Sequence, residues 1–346
     1  MTGQRLIVGN CADVLKTLPE ASVDCVVTSP PYYLLRDYGT EPLIWGGDPL
    51  CPHDWMDQGS KVMRPRRDHD GRDFGNTRGQ EEARSNTSGR LHKGYSCSLC
   101  GAWRGQLGLE PTPDLFIQHL VGIFDEVKRV LSPKGTCWVI LGDSYEDKGL
   151  LQVPSRFSLA MSEHGWKLRN RIIWQKPNAM PSSIADRFTV DYEDVLFFTL
   201  ANDHYFAQQK EPMKEASIKR YDYAFGGPKN LEMKDAGNHS YWVGKREATI
   251  TRNMRSVWSI PTKGYRGSHF ASFPTALIER MIRAGCPSGG GVVLDPFAGS
   301  GTVLEYCRQN DIEAIGIEIN PEYGRLAEER AMLNIPRVDQ WESEQS

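Results

Sequence analysis

Short β-rich runs alternate with helical runs along most of this 346-residue chain, and that alternation constrains its fold more than any other feature. Residues 4–9 (RLIVGN) and 23–28 (VDCVVT) flank the helical stretch ADVLKTLPE, the αβ pattern of a parallel sheet. The pattern resumes with a helix over 113–131, whose Phe116, Leu120, Ile123, Phe124, Val127 and Leu131 recur at helical spacing after Thr-Pro and before Ser-Pro-Lys-Gly. It continues with a strand (136–143), a helix (153–164) and two strands (167–176 and 193–201). A second run follows: helix 272–285, strand 291–295, helix 301–310, strand 313–319 and a last helix over about 322–333. The predicted fold is a doubly wound, Rossmann-like α/β sheet carrying insertions.

Two stretches break the alternation. Residues 56–96 are polar and read as a long loop; from 59 to 93 nine Lys/Arg face five Asp/Glu. Between 208 and 268 twelve Lys/Arg face six Asp/Glu, interleaved with Tyr221, Tyr223, Phe225, Tyr241, Trp242 and Trp258. Local basic blocks matter here because the net charge of −3 advertises no polyanion partner. No uncharged apolar run reaches the roughly 18 residues of a membrane span, and MTGQRLIVGN lacks a signal peptide, so no membrane partner and a cytoplasmic location are expected. Five cysteines, Cys11, Cys25, Cys137, Cys286 and Cys307, read as small buried thiols. The other three form Cys51-Pro-His53 and Cys97-Ser-Leu-Cys100, three thiolates and one imidazole that suit a closed, structural tetrahedral Zn2+ site. His69 and His92 are alternative ligands in flexible sequence.

Chemistry concentrates where strands end. After 23–28 the chain enters Ser29-Pro30-Pro31-Tyr32; two prolines cannot continue a ladder, so a stiff loop leaves the sheet where open α/β proteins bind ligands. After 291–295, Asp295-Pro-Phe297-Ala-Gly299-Ser300-Gly301-Thr302 joins strand to helix through a glycine turn that lets backbone approach a ligand. Glu318, 23 residues beyond Asp295, ends the next strand, where a carboxylate accepts ribose hydroxyls. The pair points to a nucleoside cofactor. The turn is neither G-x-G-x-x-G nor a P-loop, since no Lys follows it.

Together, Thr28-Ser-Pro-Pro-Tyr-Tyr33 and Asp295–Thr302 resemble the S-adenosylmethionine-dependent DNA amino-methyltransferases of the permuted β class. The catalytic motif precedes the cofactor motif, with a recognition segment between. Gly9-Asn10-Cys11, WQKPNAMPSSIADR (174–187) and His269-Phe270-Ala271-Ser-Phe-Pro274 resemble further family segments, so the likeness spans nearly the whole chain. It implies S-adenosylmethionine bound by Asn10, Cys11, His269, Phe270, Ala271, Asp295, Phe297, Gly299, Ser300, Gly301, Thr302 and Glu318. Asn10 stands where Asp is usual, so an amide oxygen must meet the adenine amine. The implied catalytic residues are Ser29, Pro30, Pro31 and Tyr32. The Ser29 hydroxyl and Pro30 carbonyl accept the N–H groups of a poorly nucleophilic exocyclic amine, Pro31 stiffens the loop, and Tyr32 stacks on a base flipped from double-stranded DNA.

Ser in the first position resembles cytosine-N4 members more than adenine-N6 members, where Asp is usual; the geometry serves either base. An RNA or protein amino-methyltransferase and an inactive DNA-binding regulator are the remaining readings. A cytosine-C5 mechanism would need a Pro-Cys dipeptide, which is absent. Asn178 and Arg187 resemble positions lining the base pocket, and Arg252, Arg255, Lys263 and Arg266 are candidate DNA contacts. Cys/His insertions followed by GAWRGQLGLEPT resemble phage-type members of the family. The expected organisation is a catalytic half (1–44 and 106–204), a zinc-clipped insertion (45–105), a target-recognition insertion (205–268) and a cofactor half (269–346). The family also suggests a bacterial or phage-encoded, nucleoid-associated enzyme, a homodimer, and a cognate restriction endonuclease.

Overall fold

The computed structural model describes residues 3–62, 90–215, 251–262 and 273–331. In chain order these form β1 (Gln4–Val8), α1 (Cys11–Thr17) and β2 (Val23–Thr28), then six short strands, β3 (Leu43–Trp45), β4 (Trp55–Asp57), β5 (Ser60–Val62), β6 (Arg90–His92), β7 (Tyr95–Cys97) and β8 (Trp103–Gly105). There follow α2 (Pro113–Val130), β9 (Leu131–Leu141), the hairpin β10 (Tyr145–Glu146) and β11 (Gly149–Leu150), α3 (Val153–Glu163), β12 (Lys167–Gln175) and β13 (Tyr192–Thr199). Next come β14 (Lys210–Pro212), β15 (Thr251–Asn253) and β16 (Val257–Ser259), then α4 (Thr275–Gly285), β17 (Val292–Asp295), α5 (Thr302–Gln309), β18 (Glu313–Glu318) and α6 (Pro321–Ala331).

The main sheet has eight strands in the order β1-β18-β17-β2-β9-β13-β12-β16. The first five run parallel, and β13 runs antiparallel to both neighbours. Strand β9 shows how the two faces are covered. Cys137, Val139 and Leu141 join the core built on the α2 stripe of Phe116, Leu120, Phe124 and Val127. Thr136, on the opposite face, instead donates its hydroxyl to the Gly285 carbonyl of α4 at 2.9 Å and accepts the Trp138 indole N–H at 3.1 Å. Alternation along one strand thus buries a helix layer on each side. Helix α2 begins where the sequence predicts, with Thr112 Oγ1 accepting the Leu115 N–H at 3.2 Å and Pro113 in the first turn.

Three local expectations differ from the structure. Ser132–Gly135 does end the helix at Val130, but β9 already starts at Leu131, and the register between Val23–Leu131 and Cys25–Thr136 absorbs the extra residues as a bulge. The described ends of the 56–96 stretch are strands, not loop: β4 pairs with β7 and β5 with β6. Trp258, expected in the recognition segment, is 7% exposed on β16, the edge strand beside β12.

The chain divides into two compact units, one of residues 208–255 and one of the remainder. Within it β14 pairs with β15, and Glu211 Oε1 accepts from Arg252 Nε and Arg255 Nε, each at 2.7 Å. Tyr221, Tyr223, Phe225, Tyr241, Trp242, Lys263 and Arg266 lie outside the described residues. Among the described residues no helix is long and apolar enough to cross a membrane.

Candidate active site

The carboxyl ends of β18, β17, β2 and β9 lie along one edge of the sheet, joined by the start of the antiparallel β13, whose Asp194 pairs with Leu141. Between β17 and β2 the chain order reverses direction across the sheet, which opens a crevice at that edge.

On the β17 side, Gly299 and Gly301 take left-handed conformations, with φ of 52° and 78°. The two glycines serve different ends. A Cβ on Gly301 would sit 2.8 Å from the Ala327 backbone, so its bareness lets α6 close on the turn. A Cβ on Gly299 would meet nothing nearer than a carbonyl at 4.0 Å, so that side of the turn is an open cradle. Glu318 fastens the cradle: Oε2 accepts the Gly299 N–H and Oε1 the Asn320 N–H, both at 2.8 Å, and burial raises its carboxyl above the ordinary range. Asp295 Oδ1 accepts the Thr28 hydroxyl at 2.6 Å and the Phe297 N–H at 3.1 Å. Its Oδ2 is buried without a partner, and burial, with the Glu318 charge behind it, pushes the carboxyl up to about 7. An orphaned carboxylate oxygen beside an open glycine cradle fits a cationic group such as the ammonium at the amino-acid end of S-adenosylmethionine.

The remaining cofactor candidates converge here in part. Gly9 donates its N–H to the Glu318 carbonyl at 2.8 Å, which brings Asn10 and Cys11 to the crevice. Asn10 caps α1, its Oδ1 accepting the Ala12 N–H at 3.1 Å and its amide donating to Asp13 at 2.9 Å; the oxygen keeps one lone pair for a ligand. Cys11 is buried, its thiol pushed up to about 12 by burial, so it contributes shape and no charge. Ser300 and Thr302 offer their hydroxyls to Arg330 Nη1 at 3.1 and 2.8 Å, a clamp that ties the turn to α6. His269, Phe270 and Ala271 lie outside the described residues.

On the β2 side, Ser29–Tyr32 leaves the sheet as a stiff loop packed against glycines. A Cβ on Gly108 would be 3.1 Å from the Tyr32 carbonyl and 3.3 Å from Pro31, and one on Gly142 would strike the Tyr32 ring at 2.5 Å. The Tyr32 hydroxyl donates to Glu193 Oε2 at 2.8 Å, and Ser29 Oγ lies 3.5 Å from that hydroxyl. The other Glu193 oxygen accepts from the Lys176 ammonium, which rests over the Trp174 ring at 4.6 Å. Burial, and then the Glu193 charge, hold the Tyr32 phenol well above its ordinary pKa, so it remains a donor. Sequence reasoning missed Glu193 and Lys176. Their only signals are a pair of carboxylates, Glu193-Asp194, at the start of an apolar strand and a lysine in the W-x-K segment already singled out.

Asn178 and Arg187 each make local contacts. The Asn178 amide donates to the Thr262 carbonyl and accepts the Thr262 N–H, both at 2.9 Å. Arg187 lies 3.7 Å over the Tyr145 ring, next to an Asp186–Lys148 ion pair of 2.9 Å.

The four predicted metal ligands come together. The donor atoms of Cys51, His53, Cys97 and Cys100 all lie within 4.8 Å of one another, with Cys51 Sγ 3.8 Å from Cys97 Sγ and Cys100 Sγ 3.4 Å from His53 Nδ1. Tetrahedral zinc with bonds of about 2.3 Å to sulfur separates two sulfurs by about 3.8 Å. The turn from Cys97 to Cys100 closes through Gly101, at φ 73°, whose N–H donates to the Cys97 carbonyl at 3.0 Å. Burial pushes the Cys97 thiol up, but knuckle N–H groups and His53 outweigh it and bring it down to about 6, while Cys51 is pushed up to about 11. A cation among them would hold all three sulfurs, Cys51 included, as thiolates, so the donor set fits a metal. Among the alternatives, His92 is turned away to Asp57 at 3.0 Å, and His69 lies outside the described residues.

A family model described as DNA methylase, for the N6 and N4 enzymes, matches residues 23–329, which takes in both constellations. The chain belongs to that family. This methylase is 32% identical to the Type II methyltransferase M.Cfr9I of Citrobacter freundii, over 95% of its own length and 88% of that protein's. It is 29% identical to M.SmaI of Serratia marcescens, over 95% and 90%. Among solved structures, the methylase resembles a DNA modification methylase of Thermus thermophilus complexed with S-adenosyl-L-methionine (22% identity, TM-score 0.52, 97% and 96% covered). It also resembles PvuII DNA methyltransferase (cytosine-N4-specific), at 16% identity and a TM-score of 0.57, over 98% and 90%. At those identities the two structures speak for the fold, and the family match makes the protein a DNA amino-methyltransferase of the β class.

Proposed function

We propose that the protein transfers a methyl group from S-adenosylmethionine to the N4 amine of cytosine at a specific site in double-stranded DNA. The observation that carries this reading is the 2.6 Å hydrogen bond from Thr28 to Asp295, because it couples the residue before Ser29 to the first residue of the glycine turn. The two halves of a transfer site therefore adjoin across β2 and β17. The sulfonium of the donor supplies an electrophilic methyl. This chain's part is to hold the amine against it. Ser29 Oγ and the Pro30 carbonyl accept the two N–H groups, which localises the nitrogen lone pair and aims it in line. Tyr32, its ring wedged on Gly142, offers a flat face to a flipped base. Asp295 and Glu318 would hold the amino-acid and ribose ends of the donor, and the Gly299 side of the turn leaves room for it. The preference for cytosine rests on Ser29 standing where adenine enzymes of the family more often carry Asp.

Zn2+ bound by Cys51, His53, Cys97 and Cys100 is part of the same proposal, as a structural clip with no open coordination position. The basic 208–255 unit is proposed to read the DNA site. Incubating the protein with unmethylated DNA and labelled donor, then digesting and weighing the nucleosides, tests the whole reading. N4-methylcytosine is the expected product. N6-methyladenine would keep the fold and donor but overturn the inference from Ser29, and no labelled nucleoside would point to an RNA or protein substrate or to a DNA-binding protein without turnover.

A further inference from the structure

We infer that Glu193, held by Lys176, is a positioning residue for methyl transfer: through the Tyr32 hydroxyl it sets the proton order of the catalytic loop, so that Ser29 presents a lone pair to the target amine and the amine's proton has an exit. The inference rests on the proposed role of Ser29 and Tyr32 and adds a directed chain behind them.

The direction follows from which groups can donate. Lys176 carries only donors and engages one oxygen of Glu193, so that oxygen serves as an acceptor. The carboxylate's second oxygen accepts from Tyr32 at 2.8 Å, so the single phenolic proton is directed to Glu193. The Tyr32 oxygen can then only accept from Ser29, at 3.5 Å, the long link of the chain. Hydrogen bonds of this kind are commonly long in ligand-free enzymes and tighten around the substrate. With its own proton turned toward Tyr32, Ser29 Oγ faces the crevice as an acceptor. Without Glu193 the serine proton is free to rotate toward the amine, where it would repel the N–H groups it must receive.

The same chain balances the reaction. As the nitrogen–methyl bond forms, the sulfur–methyl bond breaks with its electron pair on sulfur, and the methylated nitrogen must lose one proton. That proton passes to Ser29 as Ser29 passes its own to Tyr32 and Tyr32 passes its own to Glu193. The neutral acid formed then returns its proton to water, since the Glu193 side chain is 19% exposed.

The test uses the full-length protein, one oligonucleotide duplex carrying its site, and single-turnover transfer rates measured beside the dissociation constants for donor and DNA. Glu193→Gln keeps the size of the side chain but offers Tyr32 an amide that can donate, which reverses the chain. It should slow transfer about tenfold or more with both dissociation constants within about twofold of the parent. Tyr32→Phe, which keeps the stacking ring, should slow transfer comparably, and the double variant should be no slower than the slower single, because one path is broken twice. Rates that multiply in the double variant, or a Glu193→Gln protein that transfers at the parental rate while Ser29→Ala does not, overturn the inference. A parental rate in Ser29→Ala would instead overturn the catalytic reading beneath it. Should Glu193→Gln fail to fold, Lys176→Met tests the same chain through its outer end, with slowed transfer expected and an unchanged rate counting against it.

Discussion

The two sides of the crevice are built in opposite ways. On the cofactor side the carboxylate that fastens the cradle stands 19 residues from the glycine it holds, within one β-α-β unit. On the catalytic side, Tyr32 reaches its carboxylate partner across 161 residues, and the lysine behind that partner follows the end of a different strand, β12. A local unit carries its own geometry and can be recognised as a motif. A long-range constellation exists only once the sheet has formed, because β9 and β13 must pair before Glu193 meets Tyr32. The difference separates binding the donor from performing the transfer, and substitutions should separate them as well.

The largest effect is expected from Ser29→Ala, which removes an acceptor used only as the amine is aligned. Turnover should fall by about 10²–10³ while donor affinity stays within about twofold. A matching loss of donor affinity in a binding titration would dissolve the distinction between the sides. Gly299→Val should do the reverse: a branched side chain at φ 52° fills the cradle, and donor affinity should weaken by about two orders of magnitude while DNA affinity persists.

Asp295 sharpens the cofactor side through pH. Its carboxyl is raised from 3.8 to about 7 by burial, so the folded ligand-free protein favours the neutral acid. That contribution to stability is complete below pH 3.8 and is lost as pH rises through about 7. A cationic donor favours the anion, so calorimetric affinity should climb by up to about tenfold per pH unit below pH 7 and flatten above it. In Asp295→Asn the climb should vanish.

The Cys/His cluster lies outside both sides, and a smaller effect is expected there. Elemental analysis should find one zinc per chain, lost in Cys97→Ser, with a lowered melting temperature. A metal-free native protein would refute the clip. The smallest effect belongs to Asn178→Ala. Losing the Thr262 clasp should cost about 1–2 kcal/mol in denaturant unfolding with little change in transfer, whereas a base-pocket role would show first in turnover.

What can be read in the chain alone tracks this contrast. The helix over 113–131, the strand–turn–helix at Asp295–Thr302 and the Cys/His quartet are local patterns: a periodic stripe under a Thr-Pro start, glycines at obligatory left-handed positions, and ligand pairs at knuckle spacing. Where sequence and structure part, a distant partner decides. Trp258 carries the aromatic and basic surroundings of a recognition segment, yet its strand finds an open edge beside β12 and is buried there. Asn178 resembles a base-pocket position, and its amide also clasps Thr262, three residues beyond the end of β16. The polar 56–96 stretch reads as structureless because β4 and β7 are three residues each, too short for periodicity to declare them.

The order of the main-sheet strands and helices, the glycine turn with its acid, the stiff Ser-Pro-Pro-Tyr loop and the two metal-ligand pairs were determined by sequence, since each depends on residues near one another in the chain. Tertiary structure alone decided that Asp295 would keep one buried oxygen unpartnered while Thr28 bound the other, and that Glu193 and Lys176 would stand behind Tyr32. Burial and the direction of a hydrogen bond belong to the packed interior, where water is excluded and each polar atom is left with whichever partner the fold brings to it.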